Sequence, residues 1–419
     1  MPRLEEVVAA LSRELDSPGP SEPKDLLVYI HVPFCSSKCS FCHWVVGISV
    51  AELRADDSVQ ALYTNAVCEQ LRAYGPALTA LGYVPRYLYW GGGTPSSLSA
   101  GQITQIASAT ARAFDLGGVS EATVESSPET LTSSKLFALL DSGFNRLSIG
   151  VQSFIDDELR HAGRAHSAEQ AADAFKLARE AGFSNINLDF IAGFPNQTET
   201  MLDATIERCC ALEPDHVTLY VYSDSAPTVM ARQIQEGKRS RNSYAERAEL
   251  FHRGQAALLA AGYREYMPMY FARDGASPFM AEDYYFQLRG DHFGFGSGAH
   301  SSVGHHLLSN HRGGLGRYIS DPTTFDSAIR YLPDTGGLSL ILSRMAFNVG
   351  SASIDFHRFQ QRFGFRFKDV WDHEAVRDWR ASMTERGAEL KETAAGLEIC
   401  WPNARVRLDE SYEPVVLRR

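Results

Sequence analysis

Three cysteines, Cys35, Cys39 and Cys42, stand at C-x3-C-x2-C spacing in the stretch Tyr29-Ile30-His31-Val32-Pro33-Phe34-Cys35 and the ten residues around it. Thiolates this close in sequence can converge on one metal centre. Three is an odd number for a site that a protein closes by itself. A [4Fe–4S] cluster held by three cysteines leaves one iron without a protein ligand, open to bind and reduce something. Two other chemistries fit the spacing. A disulfide with a spare thiol would suit a secreted chain. A zinc knuckle would take His43 as fourth ligand, although a residue directly after Cys42 reaches the same ion poorly.

Further polar residues punctuate apolar runs downstream. Trp90-Gly91-Gly92-Gly93-Thr94-Pro95 carries a glycine run that lets a ligand approach the main chain. Glu125 ends an apolar run, and Gln152 offers both donor and acceptor. Arg164, in His161-Ala162-Gly163-Arg164-Ala165-His166, has the planar fork that suits a carboxylate. Asp189 lies inside Asn187-Leu188-Asp189-Phe190-Ile191, where a carboxylate is expensive unless hydrogen-bonded.

In this order and context the motifs resemble the radical S-adenosylmethionine (SAM) superfamily. Tyr-Ile-His-Val-Pro-Phe-Cys resembles its oxygen-independent coproporphyrinogen oxidase (HemN-like) branch, and the likeness runs from about Leu26 into the C-terminal region. The resemblance implies a [4Fe–4S] cluster on Cys35, Cys39 and Cys42. It implies that SAM chelates the open iron, and that one electron cleaves SAM to methionine and a 5′-deoxyadenosyl radical. It places Gly92, Gly93 and Thr94 along the SAM amino group, Arg164 on its carboxylate and Asp189 on its ribose hydroxyls. Tyr29, Phe41, Glu125 and Gln152 join the same cofactor site. Several members of this branch hold a second SAM, which points to Ile191–Gly193 and Tyr220–Ser223, with Ile191 and Tyr222 lining it. A reductant such as flavodoxin or ferredoxin is implied as partner.

The sequence also departs from its relatives. The oxidases have a fourth cysteine where Trp44 stands. The haem-chaperone relatives carry a haem-ligating His where Ala281 stands, although their later glycine run persists as Phe293-Gly294-Phe295-Gly296-Ser297-Gly298-Ala299-His300-Ser301. His305, His306 and His311 are local candidates to substitute for it, against a reading as polar loop residues. With both marks weakened, the match turns to HemN-like (class C) radical SAM methyltransferases and cyclopropanases. There the methylene radical of a second SAM adds to an sp² carbon of a small-molecule or modified-peptide substrate. A tetrapyrrole enzyme and a haem-delivery protein are the rival readings. Methyl transfer needs a base, for which Glu265, Asp283, His292 and His300 are candidates. Tyr263, Tyr266, Tyr270, Tyr284 and Tyr285 crowd the same region, either to stack on a planar substrate or to pack a sheet.

The elements that must position these residues follow from periodicity. Strands are expected at Leu26–Val32, Arg86–Trp90, Glu121–Glu125, Arg146–Val151, Ile186–Ile191 and His216–Tyr222. Helices are expected near Val59–Leu81, Gln102–Phe114, Ser133–Ser142, Ala168–Ala181 and Glu199–Leu212. Such alternation implies an α/β fold with a parallel sheet. Six units match the family's partial (β/α)6 barrel, and every motif falls at or after a strand end. Residues 1–24 read as a helical lead-in, 25–312 as the barrel with an extension, 313–337 as a linker and 338–419 as a small, mainly helical, winged-helix-like domain. A strand is expected at Tyr263–Phe271, and a hairpin from Leu397–Trp401 and Val406–Leu408.

Composition narrows the classes. The 419 residues carry 40 Lys and Arg against 51 Asp and Glu, a formal charge of −11, which argues against a general nucleic-acid binder. No apolar run approaches the roughly 20 residues of a membrane span. The polar start lacks a signal-peptide core, so a cytoplasmic location is expected. Cys68, Cys209, Cys210 and Cys400 are scattered and read as small buried hydrophobes.

Overall fold

A computed structural model describes residues 5–9, 24–42, 49–224, 227–267, 269–276, 290–304, 306–330, 352–363, 365–385 and 389–400. Six parallel strands form its centre: β1 (Lys24–Val32), β2 (Tyr83–Gly92), β3 (Glu121–Ser126), β4 (Arg146–Gln152), β5 (Ile186–Ala192) and β6 (His216–Val221). Each pairs with the next in register, for example Ile30 with Trp90 and Leu188 with Val217. Parallel strands are covered on both faces, so they need near-continuous apolar runs. β1 meets this with Leu26, Leu27, Val28, Ile30 and Val32, all buried.

The crossovers are α1 (Asp57–Ala80), α2 (Ala100–Ala113), α3 (Ser133–Asp141), α4 (Asp156–Ala162), α5 (Ala168–Ala181) and α6 (Glu199–Leu212). Local sequence starts them. Asp56 caps α1, and Ser99 with Gln102 and Ser167 with Gln170 form capping boxes on α2 and α5. α7 (Val229–Gln235) and α8 (Tyr244–Ala260) follow.

The sheet continues past both ends of the six strands. Beyond β6 lies an antiparallel hairpin, β7 (Tyr263–Met267) and β8 (Tyr270–Arg273), where one strand was expected. Beyond β1 lies β9 (Asp291–Phe295), parallel to it, then β10 (His300–Val303), β11 (His306–Asn310) and β12 (Phe325–Arg330). Among the described residues the order is β12-β11-β10-β9-β1-β2-β3-β4-β5-β6-β8-β7, with two edges, an open, partial barrel. The linker expectation for 313–337 fails through residue 330. α9 (Leu315–Ser320) and β12 occupy that stretch, with Leu315, Tyr318 and Phe325 buried in the main core.

A second core follows, built from β13 (Ala352–Asp355), α10 (Phe356–Phe363), α11 (Glu374–Glu385), β14 (Glu389–Glu392) and β15 (Gly396–Cys400). Its three strands run in the order β13-β15-β14 around Ile354, Phe359, Phe367, Val376 and Leu397, a winged-helix-like arrangement. The hairpin is β14–β15 rather than the expected pair, and Val406–Leu408 lies outside the described residues. Leu307 of β11 joins this core and ties it to the large sheet. Among the described residues no helix is long and apolar enough to cross a membrane.

Candidate active site at the open strand ends

The cysteine loop leaves β1 and is fixed from two sides. On one side the glycine turn after β2 clamps it. Gly93 N donates to Val32 O (2.8 Å), Thr94 N donates to Phe34 O (2.7 Å), and Thr94 Oγ1 donates to Cys35 Sγ (3.4 Å). A Cβ on Gly93 would lie 2.7 Å from both of those carbonyl oxygens, so only glycine permits the approach. On the other side the end of α4 clamps it. Ser40 N donates to Ala162 O (2.8 Å) and Ser37 Oγ donates to Gly163 O (3.2 Å). Gly163 ends α4 in the left-handed region.

The three thiols are unbridged. Burial pushes the Cys35 thiol up to about 12, Thr94 opposes this, and the neighbouring Cys42 and Cys39 add to it. Among the described residues no three His, Cys, Asp or Glu side chains close on a single-ion site. Cluster ligands need not, since each thiolate bonds a different iron. His43 and Trp44 lie outside the described residues.

Arg164 joins the loop to the strands. Its Nη1 donates to Cys39 Sγ (3.1 Å), and its Nη2 donates to Gly150 O (2.6 Å) and Ser127 Oγ (2.7 Å). Its Nε is buried and has no partner among the described residues, a donor left over for a carboxylate. Burial opposes its charge, but Cys39 and Glu129 hold its pKa above the usual value.

Glu125 sits on β3 beneath the glycine turn. It accepts from the Tyr89 hydroxyl and from Gly92 N (3.0 Å). Burial raises its pKa to about 7, against the Tyr89 bond. Tyr29 stacks on Tyr89, with centroids 5.9 Å apart, and its hydroxyl meets His31 Nδ1 (3.0 Å). Burial, with Arg312 adding to it, drops His31 to about 4, so its ring is neutral near pH 7.

Asp189 pairs in register with Gly150. Asn187 Nδ2 donates to its Oδ1 (2.7 Å) and Ser148 Oγ to its Oδ2 (3.1 Å), which relieves the cost of burial and leaves each oxygen a further lone pair. Burial still raises its pKa. Gln152 closes β4 at φ 73°, an unusual conformation for a non-glycine residue, where the β4–β5 register shifts.

Phe41, Ile191, Phe194, Tyr222 and Met230 form a small apolar cluster separate from the main core, with Phe41 and Phe194 5.5 Å apart. The Tyr222 hydroxyl is buried within it and has no partner among the described residues. This cluster brings the last cysteine turn to the ends of β5 and β6.

The candidate bases fare differently. Glu265 is not brought to the site. It lies two strands outside β6, where its oxygens accept from Gln255 Nε2 (2.6 Å) and Met269 N (3.1 Å) and hold the β7–β8 hairpin. Asp283, Tyr284 and Tyr285 lie outside the described residues, as does His305. His292 is buried on β9. His300 stands on the β9 flank, its Nδ1 facing Ser309 Oγ (3.0 Å) and Arg312 Nη2 (3.2 Å). His311 has Nδ1 on Asp326 and Nε2 on Thr324, both at 2.8 Å, so neither nitrogen is available to a metal without breaking a bond. Tyr263 and Tyr270 bond Pro214 O and Tyr220 and pack the sheet edge. Cys68 and Cys209 are buried in the main core, as expected of small hydrophobes, while Cys210 is only partly buried against it and the Cys400 side chain lies outside the described residues.

Sequence reasoning passed over Ser127, Glu129 and His166, which gather around Arg164. Their signal was proximity: two and four residues after Glu125, and two after Arg164.

Residues 29–209 match the radical SAM superfamily. The chain is 31% identical over 277 residues to the heme chaperone HemW of Bacillus subtilis, covering 66% of this chain and 70% of that protein. It is 33% identical over 248 residues to the oxygen-independent coproporphyrinogen III oxidase of Paracoccus denitrificans, covering 59% of this chain and 53% of the oxidase. Its fold matches the structure of coproporphyrinogen III oxidase (HemN) from Escherichia coli with a TM-score of 0.75 over 96% of this chain and 91% of that one, at 23% identity. The cysteine loop, the glycine turn that clamps it and these likenesses agree: the chain belongs to the radical SAM superfamily, in its HemN-like branch, whose cofactors are a [4Fe–4S] cluster and SAM.

Proposed function

We propose that this radical SAM enzyme is a C-methyltransferase that uses two SAM molecules and methylates an sp² carbon of a small-molecule or modified-peptide substrate. The observation that carries the reading is the Tyr222 hydroxyl, buried without a partner among the described residues in the apolar cluster beside the cysteine loop. A buried, unpaired hydroxyl costs free energy unless a ligand satisfies it. The cluster spans the ends of β5 and β6, the strands on which the resemblance places a second cofactor.

Bound at Cys35, Cys39 and Cys42, the cluster supplies the electron for reductive SAM cleavage. The chain's own residues do the rest. Arg164 offers Nε to the carboxylate of the first SAM, and Asp189 offers its remaining lone pairs to ribose hydroxyls. Phe41, Ile191 and Phe194 exclude water from the second pocket. His300 and Asp283 stay as candidate bases; Glu265 does not. A flavodoxin- or ferredoxin-like reductant would feed the site.

Trp44 at the oxidase's fourth-cysteine position and Ala281 at the chaperone's histidine position support methyl transfer over the activities for which the relatives are named. The named relatives keep the tetrapyrrole readings as rivals. Equilibrium dialysis of the reconstituted protein with labelled SAM tests the proposal. Two equivalents bound, falling to one in Tyr222→Leu, are expected; one equivalent in the unaltered protein refutes the two-SAM reading.

A further inference from the structure

The polar residues around Arg164 converge on one carboxylate. Glu129 Oε1 accepts from Ser36 Oγ (2.5 Å), a residue inside the cysteine loop. Its Oε2 accepts from Ser127 Oγ (2.6 Å) and from His166 Nδ1 (3.2 Å). The carboxylate is acceptor-only, so the single Ser127 proton points at it. The Ser127 lone pair is then free to accept from Arg164 Nη2 at 2.7 Å. The order of donation is therefore fixed: Arg164 to Ser127 to Glu129.

His166 anchors the other side. Its side chain is fully buried, and its Nε2 faces Val151 O at 3.1 Å. Both ring nitrogens face acceptor oxygens. Burial alone would raise the Glu129 pKa, but the bonds from His166, Ser127 and Ser36 outweigh it and hold the carboxylate ionised, well below the usual range.

One anion thus ties together the cysteine loop, the turn after β3, the end of β4 and the loop that carries Arg164. Arg164 in turn donates to Cys39 Sγ. Hydrogen bonds to ligating sulfurs raise the reduction potential of iron–sulfur clusters, and outer contacts orient the ligands.

We propose that Glu129 is a positioning residue of the cluster site: through Ser127 it holds Arg164 against the Cys39 sulfur, and through Ser36 it holds the cysteine loop. The two arms separate by substitution. Ser127→Ala cuts the Arg164 arm and leaves the Ser36 and His166 contacts. Ser36→Ala does the reverse. Glu129→Ala cuts both.

The proposal rests on the three cysteines carrying the cluster, which the iron content of the unaltered reconstituted protein checks by itself. The test is an anaerobic redox titration of the cluster without SAM, together with the rate of iron loss to a chelator. Ser127→Ala is expected to shift the midpoint potential downward at unchanged iron content. Ser36→Ala is expected to leave the potential in place and to lose iron several times faster. Glu129→Ala is expected to show both effects, and Glu129→Asp to recover part of each. If Glu129→Ala does not fold, Ser127→Ala still decides. An unchanged potential in a folded, iron-loaded Ser127→Ala overturns the proposal. An unaltered protein that takes up no iron counts instead against the site itself.

Discussion

Two glycine-rich runs flank the same strand, and each is packed by different partners. Gly91–Gly93 end β2 on one side of β1; Gly294, Gly296 and Gly298 lie in and after β9 on the other. At Gly93 and Gly296 backbone approaches backbone. The first run ends against the cysteine loop, with the side chains of Tyr89, Glu125 and His31 packed on it. The second is filled by other side chains. Tyr63 donates to His31 O (2.7 Å) and accepts from Ser297 N (3.0 Å), Gln70 accepts from Gly296 N (3.0 Å), and Asn310 donates to Gly294 O and Gly296 O. A glycine run marks close approach; only its neighbours decide whether a ligand or a side chain fills the space.

Breaking the second run should cost the most stability. A Cβ on Gly296, at φ 101°, would meet His31 O at 2.4 Å and the Tyr63 hydroxyl at 2.5 Å. Gly296→Ala should lose roughly 2–5 kcal/mol from overpacking and backbone strain, read as a lowered denaturant midpoint. Asn310→Ala keeps the backbone and strands two buried carbonyls, for about 2–4 kcal/mol by the same measurement. A loss as small as that of a surface substitution would mean that this run is not packed in this way.

The run that clamps the cysteine loop should fail differently. Gly93→Ala pushes against Val32 O and Phe34 O and so displaces the cysteine loop; iron retained after reconstitution should fall by a larger factor than in Asn310→Ala. Equal iron retention in the two variants would erase the contrast. The smallest effect is expected at Glu125. Its folded pKa of about 7 lies above the ordinary 4.5, so the folded chain keeps a proton that the unfolded chain has lost between those values. Stability of the cofactor-free protein should fall as pH rises through that window and level off above it. Glu125→Gln should flatten this slope in urea titrations; an unchanged slope would show that Glu125 does not carry it.

Much of the first run was legible in the sequence, and little of the second. The six central strands and their helices announce themselves by apolar runs, alternation and capping residues, and Ala168–Ala181 and Glu199–Leu212 have the expected bounds. β9 was hidden because Phe293-Gly294-Phe295 reads as a loop motif, while tertiary pairing with β1 makes it a strand. β7 and β8 read as one strand because their turn uses Met269 at φ 71°, a conformation its residue type does not advertise. The helix and strand within 313–330 were masked by Gly, Pro and Asp. At the site, the cysteines, Arg164 and Asp189 were found as single residues. The meeting of Ser36, Ser127, Glu129 and His166 spans 130 positions of sequence and becomes visible only when β1, β3 and β4 stand side by side.

The measurement that bears most directly on the two-SAM account is an anaerobic turnover of the reconstituted protein with dithionite and methyl-deuterated SAM, followed by mass spectrometry. Deuterium in 5′-deoxyadenosine, formed together with S-adenosylhomocysteine or a SAM-derived adduct, is the predicted result. Unlabelled 5′-deoxyadenosine that persists with candidate acceptors present would contradict it and favour the oxidase reading, and haem retention without SAM cleavage would favour delivery.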